Sequence, residues 1–329
     1  MKKAKVLFLF SILTIGLRVS AQEDKSSTFT VEGKPIVTVF GNFYSGFNNE
    51  NDDRGFNMER SYFGYQGKVL SDLEYKVVLD IGKSSNVGDY QRLMYLKNAK
   101  ITWKSGNLKL NAGLIGMNQF EIQEKFWDKR YLMKSFQDEY KFGSSADLGL
   151  SAEYKFADWL SGDITIVNGE GYKKVQVNDG LLYGAGITVL PAKGLTLRIY
   201  GDINETTVDG TEDKDNLSVF AGYKTDKLSI GAEYNSLYSN GNVNNQDETG
   251  YSVYASAALS PQLVLFGRWD MLKSKNDRNQ SNDGQLALFG LQYKVNKYVK
   301  IAPNFRIWNP KADGTDNKPY GYISAIFSL

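Results

Sequence analysis

Alternation of apolar and polar residues with a period of two runs through this chain almost to its last residue. In YFGYQGKVLSDLEYKVVLDIG (residues 62–82), Tyr75, Val77, Leu79 and Ile81 fall on one side, and Glu74, Lys76, Val78 and Asp80 on the other. The residues before them repeat the pattern, with Ser61, Phe63, Tyr65 and Val69 set against Arg60, Tyr62, Gln66 and Lys68. Leu70-Ser71-Asp72 breaks the two runs, and two alternating runs about a short polar break make a β-hairpin. The same pattern returns as Leu108, Leu110, Ala112, Leu114; as Leu148, Leu150, Ala152, Tyr154; and finally as Ile323, Ala325, Phe327. About 16 such segments of roughly 8–12 residues follow one another, which is the length of a strand that crosses a bilayer at a tilt.

The apolar face of such strands meets either the core of a soluble sandwich or lipid, and the connections separate the two. Short breaks (Ser105-Gly106-Asn107, Thr225-Asp226, Ser260-Pro261-Gln262, Val295-Asn296) alternate with long polar ones such as NETTVDGTEDKDN and KSKNDRNQSNDG. Short turns at one end and long loops at the other are the build of an outer-membrane barrel. Strands running toward the short turns end in an aromatic followed by lysine: Trp103-Lys104, Tyr154-Lys155, Tyr223-Lys224, Tyr293-Lys294. The aromatic continues the apolar face and suits an interfacial girdle, which puts the lysine at the mouth of the lumen. The opposite faces carry Lys, Arg, Asp, Glu, Asn, Thr and Gly, as a wet lumen needs. Lipid is the better reading, and the fold expected is an all-β, antiparallel transmembrane barrel of about 16 strands.

The amino terminus agrees. Lys2, Lys3 and Lys5 precede an apolar run from Val6 to Ile15 and a small-residue site, Val19-Ser20-Ala21. That is the layout of a cleaved signal peptide (1–21), too short in its apolar part to span a bilayer. A short polar lead (22–34) and a barrel domain (35–329) are expected to follow. Removing Lys2, Lys3, Lys5 and Arg18 lowers the basic count from 39 to 35 against 37 acids, so the remainder is near −2. A nucleic-acid partner would want a strongly basic patch, and none is expected. Histidine and cysteine are both absent. A histidine-based nucleophile, a zinc site of His or Cys and a disulfide framework therefore fall away, and no catalytic activity, metal or cofactor is expected.

FNMERSYFGYQGKVLSDLEYKVVLDIG (residues 56–82) resembles the strand-turn-strand that opens barrels of the phosphate-selective porin O and P family. LKLNAGLIGMNQF (108–120) resembles that family's strand entering its inward-folded third loop, and SSADLGLSAEYKF and ITIVNGEGYKK resemble the two strands after it. The resemblance implies a 16-stranded, trimeric outer-membrane channel over about residues 35–329, with its motifs confined to residues 55–175. Two features depart from it. The chain ends Phe327-Ser328-Leu329, without a terminal aromatic, and no dense arginine array matches a phosphate-selective ladder, so phosphate selectivity is not carried over.

A channel sorts solutes at its narrowest, charged section. The longest connection, residues 116–145, is rich in aromatics, which suggests that it packs into the barrel with a short helix around Glu121 to Lys134. Its charges, Lys125, Lys129, Arg130 and Lys134 against Glu121 and Glu124, are the candidate constriction, and Arg130 and Lys134 are expected to face the pore. Alternatively the segment is an exposed helix with solvated charges, or a lid over a neighbouring subunit. Strand parity turns Arg60, Lys76, Lys100, Lys109, Arg198, Arg268, Lys300 and Arg306 inward, with Glu74, Asp80, Asp147, Glu153, Asp202, Glu233 and Asp270. Lys68, Lys104, Lys155, Lys224 and Lys294 are placed at the periplasmic mouth. These groups either sort solutes or pair to keep the wall hydrated and rigid. The function expected is passive diffusion of small polar solutes, leaning toward anions, in the bacterial outer membrane, with lipid and the barrel-assembly machinery as partners. A barrel specific for an oligosaccharide or a hydrophobic substrate, and a structural or adhesive barrel, are the alternatives. Two smaller signals are also weighed: the Gly-x-Gly of NGEGYKK leads into no helix and so does not suggest a phosphate cradle, and Pro303, inside a strand, suggests a bulge or a local adjustment.

Overall fold

The computed structural model describes residues 32–48, 52–83, 92–177 and 179–329; the proposed signal segment and most of the 22–34 lead lie outside these. Sixteen strands form the wall. They are β1 (Glu32–Gly46), β2 (Arg54–Lys68), β3 (Leu73–Lys83), β4 (Arg92–Ser105), β5 (Leu108–Gly116), β6 (Ala146–Ala157), β7 (Leu160–Val167) and β8 (Leu182–Ala192), then β9 (Leu195–Asn204), β10 (Lys214–Lys224), β11 (Leu228–Tyr238), β12 (Glu248–Ala258), β13 (Leu263–Ser274), β14 (Gly284–Lys294), β15 (Val299–Pro310) and β16 (Lys318–Ser328). Each pairs antiparallel with its neighbours in sequence, and β1 closes on β16. The first strand begins at Glu32, with Glu32 opposite Lys68, so three residues assigned by sequence to the lead belong to the wall. Along the closing seam Thr38 stands opposite Ser328 and Gly46 opposite Tyr320, and the Leu329 N–H donates to the Val37 carbonyl at 2.9 Å.

Full closure removes the sheet edges that an open sheet would leave unpaired. It also separates the two faces. Val77, Leu150, Ile164, Ile199, Val253 and Phe289 point outward and are exposed, whereas Val78, Thr165, Tyr200 and Ser252 point inward and are buried. A band of exposed apolar side chains of this extent on every strand from β2 to β16 is what hydrocarbon covers, and a soluble protein avoids it. Trp103, Tyr154, Tyr223 and Tyr293 lie exposed on the same outer face at the short-turn end, as their place before the turn lysines predicts.

Two bulges alter the inner face. Phe40 pairs with Arg60 but Gly41 with Met58, and Leu79 pairs with Leu96 but Val78 with Asn98, which leaves Glu59 and Lys97 as extra residues. A bulge places two successive residues against one and re-aims their side chains. Pro303 creates no bulge: Gly290 still faces Asn304 and Tyr293 still faces Ile301, with the rungs between them missing. A residue without an N–H interrupts the ladder there and leaves the register unchanged.

Residues 117–145 fold into the barrel. The Phe126, Trp127, Tyr131 and Leu132 side chains pack against Phe220, Tyr254, Phe266 and Leu288 of the wall, and Phe136 and Phe142 against Leu237 and Leu272. Fully apolar contact inside the lumen corrects the expectation of a uniformly polar inner face: from β10 to β14 that face is half of a hydrophobic core. Glycines make room for it. A Cβ at Gly250 would fall within 1.9 Å of the Phe136 ring, and one at Gly222 within 2.5 Å of the Phe126 ring. The helix is shorter than expected. It divides into α1 (Glu121–Trp127) and α2 (Phe136–Glu139), because Asp128 turns to the left-handed region (φ 51°) with its N–H on the Glu124 carbonyl.

Candidate functional site

The buried side of the inward loop is fastened at several points. Arg198 forms a two-pronged pair with Asp163 (2.6 and 3.0 Å) and donates to the Asn118 carbonyl, and Ser229 donates to the Phe126 carbonyl at 2.8 Å. Arg268 pairs with Asp270 at 2.7 Å and donates to the Lys134 carbonyl. Arg198 and Arg268, both placed in the lumen by parity, are thus buried and hold the loop to the wall. Lys129, placed at the constriction by sequence, is also buried, 3% exposed, near the Phe266 ring. It does not face open space, because the turn after α1 points it back into the apolar contact.

The other edge of the loop faces β2, β3 and β4 and carries the charge. The Arg130 guanidinium lies 2.8 Å from Asp138, 3.5 Å from Glu124 and 3.2 Å from the Tyr62 hydroxyl. Lys134 is half-exposed beside Asp138 at 3.8 Å, and Lys125 is exposed and pairs with Glu121 at 2.6 Å. From the wall, Arg60 reaches Asp80 at 2.9 Å, and the Lys97 ammonium lies 4.9 Å from the Tyr62 ring centre. Burial pushes the Glu124 carboxyl up, against the pull of Arg130. Burial acts the same way on Asp138, but Arg130 and Lys134 outweigh it and hold that carboxyl below its ordinary range.

Toward the short turns the space beside this edge opens into a cavity of about 600 Å³ lined by Lys34, Lys68, Lys76, Lys100, Lys104 and Lys109, with Glu32 and Glu74 the acids. Lys104 is taken by Glu74 at 2.7 Å and Lys109 by Glu153 at 2.6 Å. Lys34, Lys68, Lys76 and Lys100 make no ion pair among the described residues. Lys76 and Lys100 even stand directly opposite each other across β3 and β4, a like-charge placement that costs stability without a bound counter-ion. Of the other lysines that the sequence placed at the mouth, Lys155 pairs with Asp158, Lys224 donates to the Lys125 carbonyl at 2.6 Å, and Lys294 is exposed at its turn. Arg306 lies elsewhere, near the long loops, stacked 3.9 Å over the Tyr322 ring.

Two groups central to this edge were not singled out from sequence, Lys97 and Asp138. Lys97 turns inward because of its bulge, which parity counting cannot see, whereas Asp138 carried the signal of a four-residue spacing from Lys134. The Gly-x-Gly segment holds no external phosphate: Asp147 accepts the Gly169 and Gly171 N–H groups at 2.8 and 3.0 Å, so the chain's own carboxylate fills that nest.

Lys129 also supplies a stability test. Burial, helped by Lys300 and Lys224, pushes its ammonium from the ordinary 10.5 down to about 8. Between those two values the unfolded chain holds a proton that the folded chain has lost, so stability rises with pH across that window, and the full cost is present below 8. Lys129→Met is therefore expected to stabilise the detergent-solubilised barrel at pH 7 by up to about 3 kcal/mol. Thermal unfolding of the two proteins should show the gap closing as pH rises toward 10.5.

No family model matches the chain, and no curated protein does. Solved structures do. A Salmonella typhi OmpF, in complex with daunomycin, is 12% identical with a TM-score of 0.73, covering 92% of this chain and 99% of its own. An anion-selective porin from Comamonas acidovorans is 11% identical at 0.69 (91% and 100%), and Pseudomonas putida OprB is 12% identical at 0.69 (90% and 94%). At such identities the likeness is one of architecture. The chain has the closed, 16-stranded antiparallel barrel fold of the porins.

Proposed function

We propose that this protein is an outer-membrane diffusion porin for small hydrophilic solutes, leaning toward anions and related to the phosphate-selective porin O and P type. The observation that carries this reading is the asymmetry of the lumen: one half is sealed by apolar packing of the inward loop, and the other is bordered by Lys76, Lys97 and Lys100, which have no carboxylate partner among the described residues, beside the paired Arg60 and Arg130. Fixed cations beside a water-filled section raise the local concentration of anions and lower that of cations. The apolar outer band supports placement in lipid, with export by residues 1–21, and the fold shared with solved porins supports a channel rather than an enzyme. Assembly as a trimer and handling by the barrel-assembly machinery belong to the same proposal.

Planar-bilayer recording tests it. An ohmic conductance on the nanosiemens scale, with a reversal potential on the anion side in a KCl gradient, is expected; silence of a correctly folded, heat-modifiable protein overturns it. Arg130→Ala with Lys134→Ala should move the reversal potential toward cations, since Asp138 and Glu124 are then left uncompensated. An unchanged potential would place the selective section away from the inward loop.

A further inference from the structure

Above the inward loop, at the long-loop end, lies a vestibule of about 1060 Å³ that shares Arg60, Arg130 and Lys134 with the charged edge and extends beyond it to the last two strands. Six aromatic side chains line it: Phe40 and Tyr131 are buried, and Tyr140, Trp308, Tyr320 and Tyr322 are half-buried. The Tyr140 and Trp308 rings are 6.3 Å apart and tilted by 33°, and the Tyr320 and Tyr322 rings 6.1 Å apart and tilted by 42°. Arg306, on β15 with Trp308 and directly opposite Tyr320 of β16, is incompletely satisfied. Its Nε donates to Asn304 at 2.9 Å, it makes no ion pair among the described residues, and its buried Nη2 has no acceptor. A guanidinium held this way by stacking on Tyr322 costs free energy unless some oxygen completes its hydrogen bonds. Asn240, Asn279, Ser281 and Asn282 add amide and hydroxyl groups around the opening, and Lys83, Lys134, Lys141 and Lys318, with Arg60 and Arg130, outnumber the acids Glu59, Glu139 and Glu248.

We propose that this vestibule binds an acidic saccharide, a pyranose unit bearing a carboxylate, on its way to the passage below; the inference rests on the porin reading. Each part of the ligand has a counterpart. The carboxylate supplies the acceptor that the Arg306 Nη2 lacks, in a charge-assisted hydrogen bond. The apolar C–H face of the sugar ring lies on the tyrosine and tryptophan faces, which combine large contact area with a polar edge. The hydroxyls meet the amides and serine. Splayed rings also argue against a flat aromatic anion, which would want a parallel slot, and inorganic phosphate would leave the four aromatic faces unused.

The test uses the whole purified barrel in two readouts: interruption of the single-channel current, with ligand added at the long-loop end, and titration calorimetry in detergent. The probes are digalacturonate, maltose and inorganic phosphate. Digalacturonate is expected to act at a concentration at least about ten-fold lower than either of the others, the worth of one charge-assisted pair. Arg306→Gln should remove that preference, Arg306→Lys should recover part of it, and Trp308→Ala should weaken both sugars together. Heat-modifiable migration checks that each variant folds. Equal action of digalacturonate and maltose, phosphate acting as strongly as digalacturonate, or an Arg306→Gln barrel with unchanged preference overturns the proposal. A conducting channel that binds no digalacturonate sinks the saccharide site alone. A silent barrel that still binds it in calorimetry upholds the site and sinks the porin reading.

Discussion

Replacing Lys76, Lys97 and Lys100 together by glutamate is expected to carry the reversal potential in a KCl gradient from the anion side through zero to the cation side. The change amounts to six units of charge on one stretch of wall, opposite a loop edge that already carries Glu121, Glu124 and Asp138. None of the three lysines has a carboxylate partner among the described residues, so no existing ion pair is lost to confuse the outcome. The Lys76 and Lys100 pair is self-repelling, and one lysine of it facing a glutamate would be neutralised rather than strained, which is why all three are changed at once. The effect should grow as salt is lowered from 1 M to 0.1 M, because the screening length lengthens from about 3 Å to about 10 Å. A variant that folds, conducts and keeps its anion preference would show that the basic cavity is a bystander.

The second large effect is expected from Trp127→Ala. This side chain is 1% exposed, stacks edge-on with Tyr254 and Phe266, lies under the Arg268 guanidinium at 5.2 Å and donates its N–H to the Met133 carbonyl at 2.7 Å. Truncating a fully buried tryptophan removes about 3–5 kcal/mol of packing. No rung of the barrel's ladder comes from the loop, since β1 closes on β16 through strands alone. The loss should therefore fall on the docking of residues 117–145, with conductance rising severalfold and current noise increasing while heat-modifiable migration is retained. Normal conductance in a folded variant would mean that the loop does not limit the pore.

The barrel was legible in the chain because closure and alternation are the same fact seen twice: every strand must show one face to lipid and one to the lumen, so Tyr75, Val77, Leu79 and Ile81 declare their side without reference to any partner. The aromatics before the short turns were legible for the same reason. What parity could not show is where the inner face is itself apolar. Phe220, Tyr254, Phe266 and Leu288 sit on that face and become a core only once the loop's own aromatics arrive. The loop signalled its burial through composition, but not its break at Asp128, which depends on a single backbone rotation. Lys129 illustrates the cost: counted as a pore charge by its neighbours in sequence, it lies on the packed side of the turn.

The seam between the first and last strands has a consequence for how such a molecule comes into being. Thr38 and Ser328 touch across 290 positions of chain, and until they meet, two long rows of amide and carbonyl groups stand open beside a greasy exterior. The ordering cost of so distant a contact falls due before any of its reward, which makes the final step slow. Something must shelter both rims in the interval, or neighbouring unfinished copies will zip onto one another.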